Sequence, residues 1–386
     1  MTAAPQLQPQ APATIVHPSS TDHRKRPRVP ILLALPGGVA LLAGLDAALL
    51  LLDLPAPVAV RHLPDVHGVL LVLGFVGTLV ALERAVALRA TAGFAAPALL
   101  GVGGLLLVTP LPDTLGGTAL LLGTLALVGV YVPLWRRQRG DAVLVQILGA
   151  VLAAGATMLW LGGVPVPQII PWLAGFVVLT VAAERVELAR LALPAHAERG
   201  ILLASGAVTL AVVAALLWPS VGYPVLGLTL LGLGAWLAAH DVARKTLRSH
   251  GLARFTAGCV LAAYVWLGVA AACWLVGGPA FDGERYDAVV HAAFLGFTLS
   301  MIMAHAPVIL PAVLRRPLPY HPVLLAPAAL LHLSLVLRLW VGDALNVPAA
   351  WRSGGVLNIV AVLAFVVLLA WSAATSTRKT RVGSGP

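Results

Sequence analysis

Runs of about 20 apolar residues recur along almost the whole of this chain, and they constrain its fold more than any other feature. Each run is long enough to cross a hydrocarbon layer about 30 Å thick as an α-helix. Of the 386 residues, 60% are hydrophobic and only 10% are charged, whereas charged residues make up roughly a quarter of a soluble domain. The sequence therefore predicts an all-α polytopic membrane protein.

The apolar runs divide the chain into twelve predicted transmembrane segments. Their expected bounds are 30–52, 66–89, 94–111, 117–135, 141–162, 167–190, 200–218, 222–243, 252–277, 286–313, 320–341 and 350–373. Residues 1–29 are rich in Pro, Ala, Gln and Ser, a composition typical of a disordered tail. We expect residues 374–386 to form a second tail, so that the membrane domain covers residues 30–373.

Arginine and lysine are concentrated in every second connection between these segments. The basic residues of these connections are Arg84, Arg89, Arg136, Arg137, Arg139, Arg185, Arg190, Arg199, Arg244, Lys245, Arg248, Arg254, Arg315, Arg316, Arg378, Lys379 and Arg381. The opposite connections contain Arg61 and Arg285 as basic exceptions. This bias predicts that both termini lie in the cytoplasm. Because the net charge of +10 comes largely from these short loops, we expect membrane lipid as a partner and no nucleic acid.

One stretch of sequence occurs twice, roughly a hundred residues apart. GFVGTLVALERAVALRA begins at Gly74 in segment 2, and GFVVLTVAAERVELARL begins at Gly175 in segment 6. Segment 10 carries a third version, GFTLSMIMAHAP, from Gly296. The residues nine positions after these glycines are Glu83, Glu184 and His305.

Segment 8, which two inverted halves would pair with segment 2, lacks the Gly-Phe stretch, so a repeat of four helices is favoured over two halves. The predicted units are about 30–135, 141–243 and 252–373. The alternative is a chance match, because Gly and Phe are common in transmembrane segments.

Four histidines fall in the interior of the predicted segments, namely His67, His291, His305 and His332, whereas His240 and His321 lie at segment ends. Ionisable groups within a membrane are costly and are functional candidates by default. His67 and His291 lie seven and five residues before the glycines of their copies, so we expect them at similar depth near the outer face. Two imidazoles placed in this way can supply both axial ligands of a haem.

His305 follows His291 by 14 residues, about 21 Å along a helix, and so would belong to a separate inner metal site or to none. His332 is its nearest candidate partner in the sequence. The alternative for each histidine is a hydrogen bond to a carbonyl or hydroxyl group, with no ligand bound.

A second group of costly residues is expected at the inner end of the bundle. If the repeat is correct, Glu83, Glu184 and His305 meet there and form a candidate proton or ion site. The alternative is that each glutamate pairs with an adjacent or next-turn arginine. Arg338 and Arg352 are expected toward the outer face, where they could bind haem propionates or extend to the interface.

These features resemble known families. Twelve helices in three groups of four, with histidines on segments 2 and 10, resemble the fold of haem–copper oxidase subunit I. The stretches VHGVLLVLGFVG and HAAFLGFTLSMIMAHAPVILPAVLRRPL resemble the NnrS family, bacterial haem- and copper-containing membrane proteins of the nitric-oxide response. The resemblance implies a b-type haem on His67 and His291, with Arg338 and Arg352 as propionate partners.

The same resemblance implies a bacterial inner membrane and leaves copper open as a second metal. An electron donor or quinone, and nitric oxide or another diatomic ligand, are the implied partners. Segments 6 and 7 contain no histidine, so an oxidase-type copper site and terminal oxidase activity are not expected. The predicted function is haem binding in redox or nitric-oxide response. The alternative is a proton- or ion-coupled transporter, and the sequence leaves open whether the protein is an enzyme.

Overall fold

The computed structural model describes residues 28–58, 60, 62–189, 197–314 and 318–382. Most of the tail predicted over 1–29 and the arginines Arg61, Arg190, Arg315 and Arg316 lie outside these residues. The side chains of Arg378, Lys379 and Arg381 also lie outside the described part.

Within these described residues, twelve helices are long and apolar enough to cross a membrane, and we label them α1 to α12. Their bounds are Val29–Leu51, Leu63–Leu88, Thr91–Val108, Asp113–Gln138, Asp141–Leu161, Val166–Ala189, Ala197–Leu217, Pro219–His240, Gly251–Gly277, Gly283–Pro311, Pro322–Ala344 and Pro348–Ala374. Each predicted segment coincides with one of them, and the described residues contain no strand. The predicted class, an all-α polytopic membrane protein, is confirmed. Helix α12 continues to Val382, into the region expected to be a tail.

Helices that are adjacent in the sequence pack against each other around the molecule, and α12 returns to contact α1. Inside this arrangement α2, α6 and α10 each contact the other two. Helices α2 and α6 also have the largest buried fractions of the twelve. The three helices that carry the Gly-Phe stretch therefore meet at the centre, which is the arrangement that a period of four helices requires.

The glycines of this stretch allow neighbouring helices to approach closely. A Cβ atom on Gly74 would lie 3.2 Å from the Cα atom of Gly104, in α3. On Gly175 it would lie 2.6 Å from Leu152, and on Gly296 only 2.4 Å from the ring of Trp266. A side chain at any of these positions would force a neighbour to move, which accounts for glycine at the same place in all three copies.

Three of the helices contain a π-helical segment, in which the backbone hydrogen bonds span five residues. These segments are Leu70–Gly77 in α2, Ala292–Leu299 in α10 and Leu337–Ala344 in α11. In α2 and α10 the Gly-Phe pair occupies the fifth and sixth positions of the segment, whereas α6 is α-helical throughout. π-helical turns are rare and are frequently found at functional sites. The space that these three segments border is therefore a candidate functional site.

Candidate functional site

A cavity lies between α1, α2, α10, α11 and α12, and all three π-helical segments contribute to its wall. It is at the arginine-poor end of the bundle, opposite the end that carries Arg84 and Arg185. The cavity is small, because the centre of a water-sized molecule can occupy only about 80 Å³ of it, and we call it the slot. Leu, Val, Ile and Phe side chains form most of its lining. Its polar lining residues are His67, His291, Thr298, Arg338 and Asn358.

His67 and His291 both face this slot, and the surroundings fix the same tautomer in each. Nδ1 of His67 lies 2.9 Å from the carbonyl oxygen of Gly44, in α1. Nδ1 of His291 lies 2.9 Å from the carbonyl oxygen of Asp287 and 3.2 Å from its carboxylate. A carbonyl oxygen can only accept a hydrogen bond, so Nδ1 is the donor in both neutral rings. The lone pair therefore lies on Nε2 in both, which is the form that binds a metal.

Asp287 connects His291 to Arg338. The guanidinium group of Arg338 donates from Nε and Nη2 to the two carboxylate oxygens of Asp287, at 2.8 and 2.6 Å. Arg338 is 7% exposed, and its guanidinium carbon lies 5.0 Å from the ring centre of Trp351. A Cβ atom on Gly354 would lie 2.8 Å from Arg338. Two fixed donors and an aromatic ring therefore hold this arginine in one orientation.

A buried oxygen atom in the wall of the slot, Oδ1 of Asn358, has no hydrogen-bond partner among the described residues. Asn358 donates from Nδ2 to Ser334 at 2.6 Å. Because buried polar atoms are almost always paired, Oδ1 of Asn358 indicates room for a ligand or for ordered water.

The other candidates from the sequence lie elsewhere. Arg352 is exposed and does not line the slot. Nδ1 of His332 accepts a hydrogen bond from the indole N–H of Trp266 at 3.0 Å, so a metal at this nitrogen would have to displace Trp266. His305 lies near the arginine-rich end, away from the slot.

At the arginine-rich end, Glu83 and Glu184 share one arginine. Nη2 of Arg84 lies 2.5 Å from Glu83 and 3.3 Å from Glu184, and Nη1 lies 4.0 Å from Glu187. The expected meeting of Glu83 and Glu184 is therefore present, with a guanidinium group between them. The alternative was that each glutamate pairs with an arginine adjacent to it or one turn away. Glu83 does pair with its neighbour Arg84, whereas Glu184 does not pair with its neighbour Arg185. We call Glu83, Arg84, Glu184 and Glu187 the glutamate cluster.

His305 belongs to a neighbouring network centred on Arg185. This arginine donates from Nε and Nη2 to the two carboxylate oxygens of Asp241, at 2.8 and 2.6 Å. Its Nη1 lies 3.3 Å from Nε2 of His305, whose Nδ1 donates to the carbonyl oxygen of Met301 at 2.7 Å. The hydroxyl of Tyr264 donates to Asp241 at 2.7 Å. Both ring nitrogens of His305 are therefore hydrogen-bonded within the protein.

Asp241 lies just beyond the end of α8, outside the membrane-crossing helices. Burial alone would raise the pKa of its carboxyl group. The hydrogen bonds and charge of Arg185, with further bonds from the backbone N–H of Ala243 and from Tyr264, outweigh burial and lower this pKa below its ordinary value. Asp241 is therefore ionised and anchors the arginine that contacts His305.

No three His, Cys, Asp or Glu side chains converge as a metal site within the described residues. This finding concerns sites built from protein ligands alone, such as a copper centre. A pair of imidazoles such as His67 and His291 lies outside this finding, which concerns groups of three or more side chains.

Sequence reasoning missed several residues that connect these sites. Asp287 could have been found, because it lies four residues before His291 and hence on the same face of the helix. Asp241 and Tyr264 carried no such signal, because they join Arg185 only through tertiary packing.

Residues 28–374, most of the chain, match the family model described as a domain of unknown function (DUF8744). No curated protein and no solved structure matches the chain. The chain therefore belongs to the DUF8744 family.

Proposed function

We propose that this protein binds haem within the membrane through His67 and His291 and acts in redox chemistry or in the response to nitric oxide. The observation that carries the proposal is the shared state of the two imidazoles. Each has its Nδ1–H held by an acceptor, and both line the same slot. Histidine pairs with this tautomer are suited to axial haem ligation.

The slot suits such a group in its chemistry, because its walls are mostly aliphatic and aromatic, as an apolar macrocycle requires. Two donors of Arg338 are committed to Asp287. Its Nη1 has no hydrogen-bond partner in the described part of the chain and is the donor available for a propionate. A bound haem would supply one-electron chemistry; the chain itself supplies ligands, charge compensation and exclusion of water.

Asp287 would act as a positioning residue in this proposal. Its carboxylate accepts from Arg338 on one side and lies beside Nδ1 of His291 on the other. Carboxylate–histidine–metal arrangements orient the imidazole and increase its basicity. Arg338 in turn compensates the charge of Asp287, so that the carboxylate stays ionised beside the slot.

The finer parts of the proposal rest on the sequence resemblance. They are a b-type haem, a role like that of NnrS proteins, a bacterial inner membrane with cytoplasmic termini, and a quinone or other electron donor. Copper is a candidate on that resemblance alone, because no described cluster of ligands favours it.

The test is an absorption spectrum of protein purified from haem-sufficient cells. We expect a Soret band and, after reduction, the sharp bands of low-spin haem. His67→Ala and His291→Ala should each abolish the low-spin signal, because no other described histidine lines the slot. His332→Ala is the matched control and should keep it. A colourless wild-type protein, or unchanged spectra in both alanine variants, would contradict the proposal.

The glutamate cluster favours a second candidate function, a transporter that couples to protons or ions. Three carboxylates around one arginine within a bundle are costly unless they serve transport or proton transfer. A colourless protein that moved protons or ions into liposomes, with loss of activity in Glu184→Gln, would support this function instead.

A further inference from the structure

Among the described residues, the three carboxylates of the glutamate cluster contact one arginine, Arg84. Arg84 is the cation that contacts Glu83, Glu184 and Glu187, whereas Arg185 is committed to Asp241 through two hydrogen bonds. Glu187 is the most exposed of the three, with 39% of its side chain accessible, against 26% for Glu83 and 13% for Glu184. Water can therefore solvate the carboxylate of Glu187. The carboxylates of Glu83 and Glu184 share Arg84 as their contacting cation.

A second, independent feature points to a ligand in this cluster. The hydroxyl of Tyr131, in α4, is fully buried and has no hydrogen-bond partner within the described residues. It lies close enough to interact electrostatically with Arg84, Glu83, Glu184 and Glu187. A buried hydroxyl without a partner, near carboxylates, indicates a bound water molecule or another polar group that would complete its hydrogen bonding.

A metal ion does not fit this arrangement as well as a proton. The three carboxylates surround the guanidinium group of Arg84 and do not converge on a common point, and no metal-binding group occurs among the described residues. Two carboxylates that share a partly buried site repel each other when both are ionised, and a proton on one of them removes this repulsion.

We propose that the glutamate cluster is a proton-binding site and that Glu184 holds the proton. Glu83 makes the shorter contact with Arg84 and remains its ionised partner. Glu184 is the least exposed carboxylate and takes a proton from a hydronium ion that enters past Glu187, releasing one water molecule. The protonated carboxyl group pairs with the hydroxyl of Tyr131, directly or through one water molecule.

The charged and titratable groups around Glu184 come from several helices. They are Glu83 and Arg84 from α2, Tyr131 from α4, Arg185 and Glu187 from α6, with His305 of α10 joined through Arg185. Substitutions at Glu83 or Arg84 would alter the charge balance itself. Glu184→Gln and Tyr131→Phe are therefore the informative variants, because each keeps the size of the side chain.

The test is infrared spectroscopy of the purified full-length protein at neutral pH, in light and in heavy water. We expect a band from a protonated carboxyl group that shifts on deuteration. The band should be lost in Glu184→Gln, shifted in Tyr131→Phe and unchanged in Glu284→Gln, an exposed glutamate at the opposite end.

A wild-type protein without this band would overturn the proposal, as would a band unchanged in Glu184→Gln. If Glu184→Gln does not fold, an unchanged band in Tyr131→Phe would overturn it as well. If the wild-type protein lacks this infrared band and binds added Na⁺ or Mn²⁺, the glutamate cluster is a cation site instead. The measurement needs no haem, so a colourless protein can still support the proton site.

Discussion

Asp287 is the residue through which the proposed haem site can be weakened without removing a ligand. Asp287→Asn keeps the shape of the side chain but removes the charge that Arg338 and His291 share. We expect haem affinity to fall by about 10- to 100-fold, as is typical when the partner of a metal-bound histidine is lost. The measurement is haem titration of the purified apoprotein, followed by the Soret band.

Glu284→Gln is the control for this variant, because Glu284 lies in the first turn of the same helix and is exposed. Equal haem affinity in Asp287→Asn and Glu284→Gln would show that Asp287 does not position His291.

Asp241 predicts a dependence of stability on pH. Its folded-state pKa is lowered, so its contribution is fully present above the ordinary aspartate pKa of about 3.9 and is lost as the pH falls through the folded value. We expect the melting temperature to fall over this acidic range. Asp241→Asn should melt lower than wild type at neutral pH and show a smaller acid-induced drop.

Thermal unfolding in detergent, followed by tryptophan fluorescence, measures both proteins. Because other carboxylates titrate over the same range, the difference between the two curves is the relevant quantity. Parallel curves would mean that the bond between Arg185 and Asp241 does not contribute to folding.

At the level of single residues, the sequence allowed His67 and His291 to be predicted as a pair because their depth follows from their distance to a shared Gly-Phe marker. It could not give the tautomers, because the carbonyl of Gly44 reaches His67 only after α1 packs against α2. It also could not show that Glu184 turns toward Arg84 of another helix, although Arg185 is its neighbour in the sequence.

The helices themselves were predictable because an apolar run of about 20 residues has few alternatives in a membrane. The π-helical segments were not predictable, because no shared sequence pattern marks them: Leu70–Gly77 and Ala292–Leu299 are mostly apolar, whereas Leu337–Ala344 contains Arg338 and Asp343. A change of hydrogen-bond register that costs little locally is decided by tertiary packing, here around the slot.

The π-helical segment of α10 is expected to set the direction of His291. Deleting Leu295 shortens the segment by one residue and favours a regular α-helix. His291 would then turn by about 100° relative to the rest of α10 and shift by about 1.5 Å, away from the slot. We expect loss of low-spin haem, measured by absorption spectroscopy.

Leu295→Ala is the control for the deletion, since it removes most of the side chain and keeps the length of the helix. Retention of the low-spin spectrum in the deletion variant would show that the π-helical register is not needed for ligation.

For the molecule as a whole, the arginine distribution predicts orientation. Arg84, Arg137, Arg185 and Arg244 lie toward one end, which we expect in the cytoplasm. A fluorescent protein fused after Pro386 should fluoresce, and alkaline phosphatase at the same place should be inactive. Fusions truncated in the connection at Pro110–Pro112 should give the reverse result. Active phosphatase at the C-terminus would invert the proposed topology.

The shared π-helical register of α2 and α10 also concerns ancestry. A π-helical turn corresponds to one residue inserted into an α-helix, and both copies carry it at the same distance from Gly-Phe, whereas α6 is regular. If the chain arose by triplication of a four-helix gene segment, one deletion in the middle copy accounts for the difference. Such a deletion would have left three copies of one unit in which only the first and third keep the π-helical turn beside Gly-Phe.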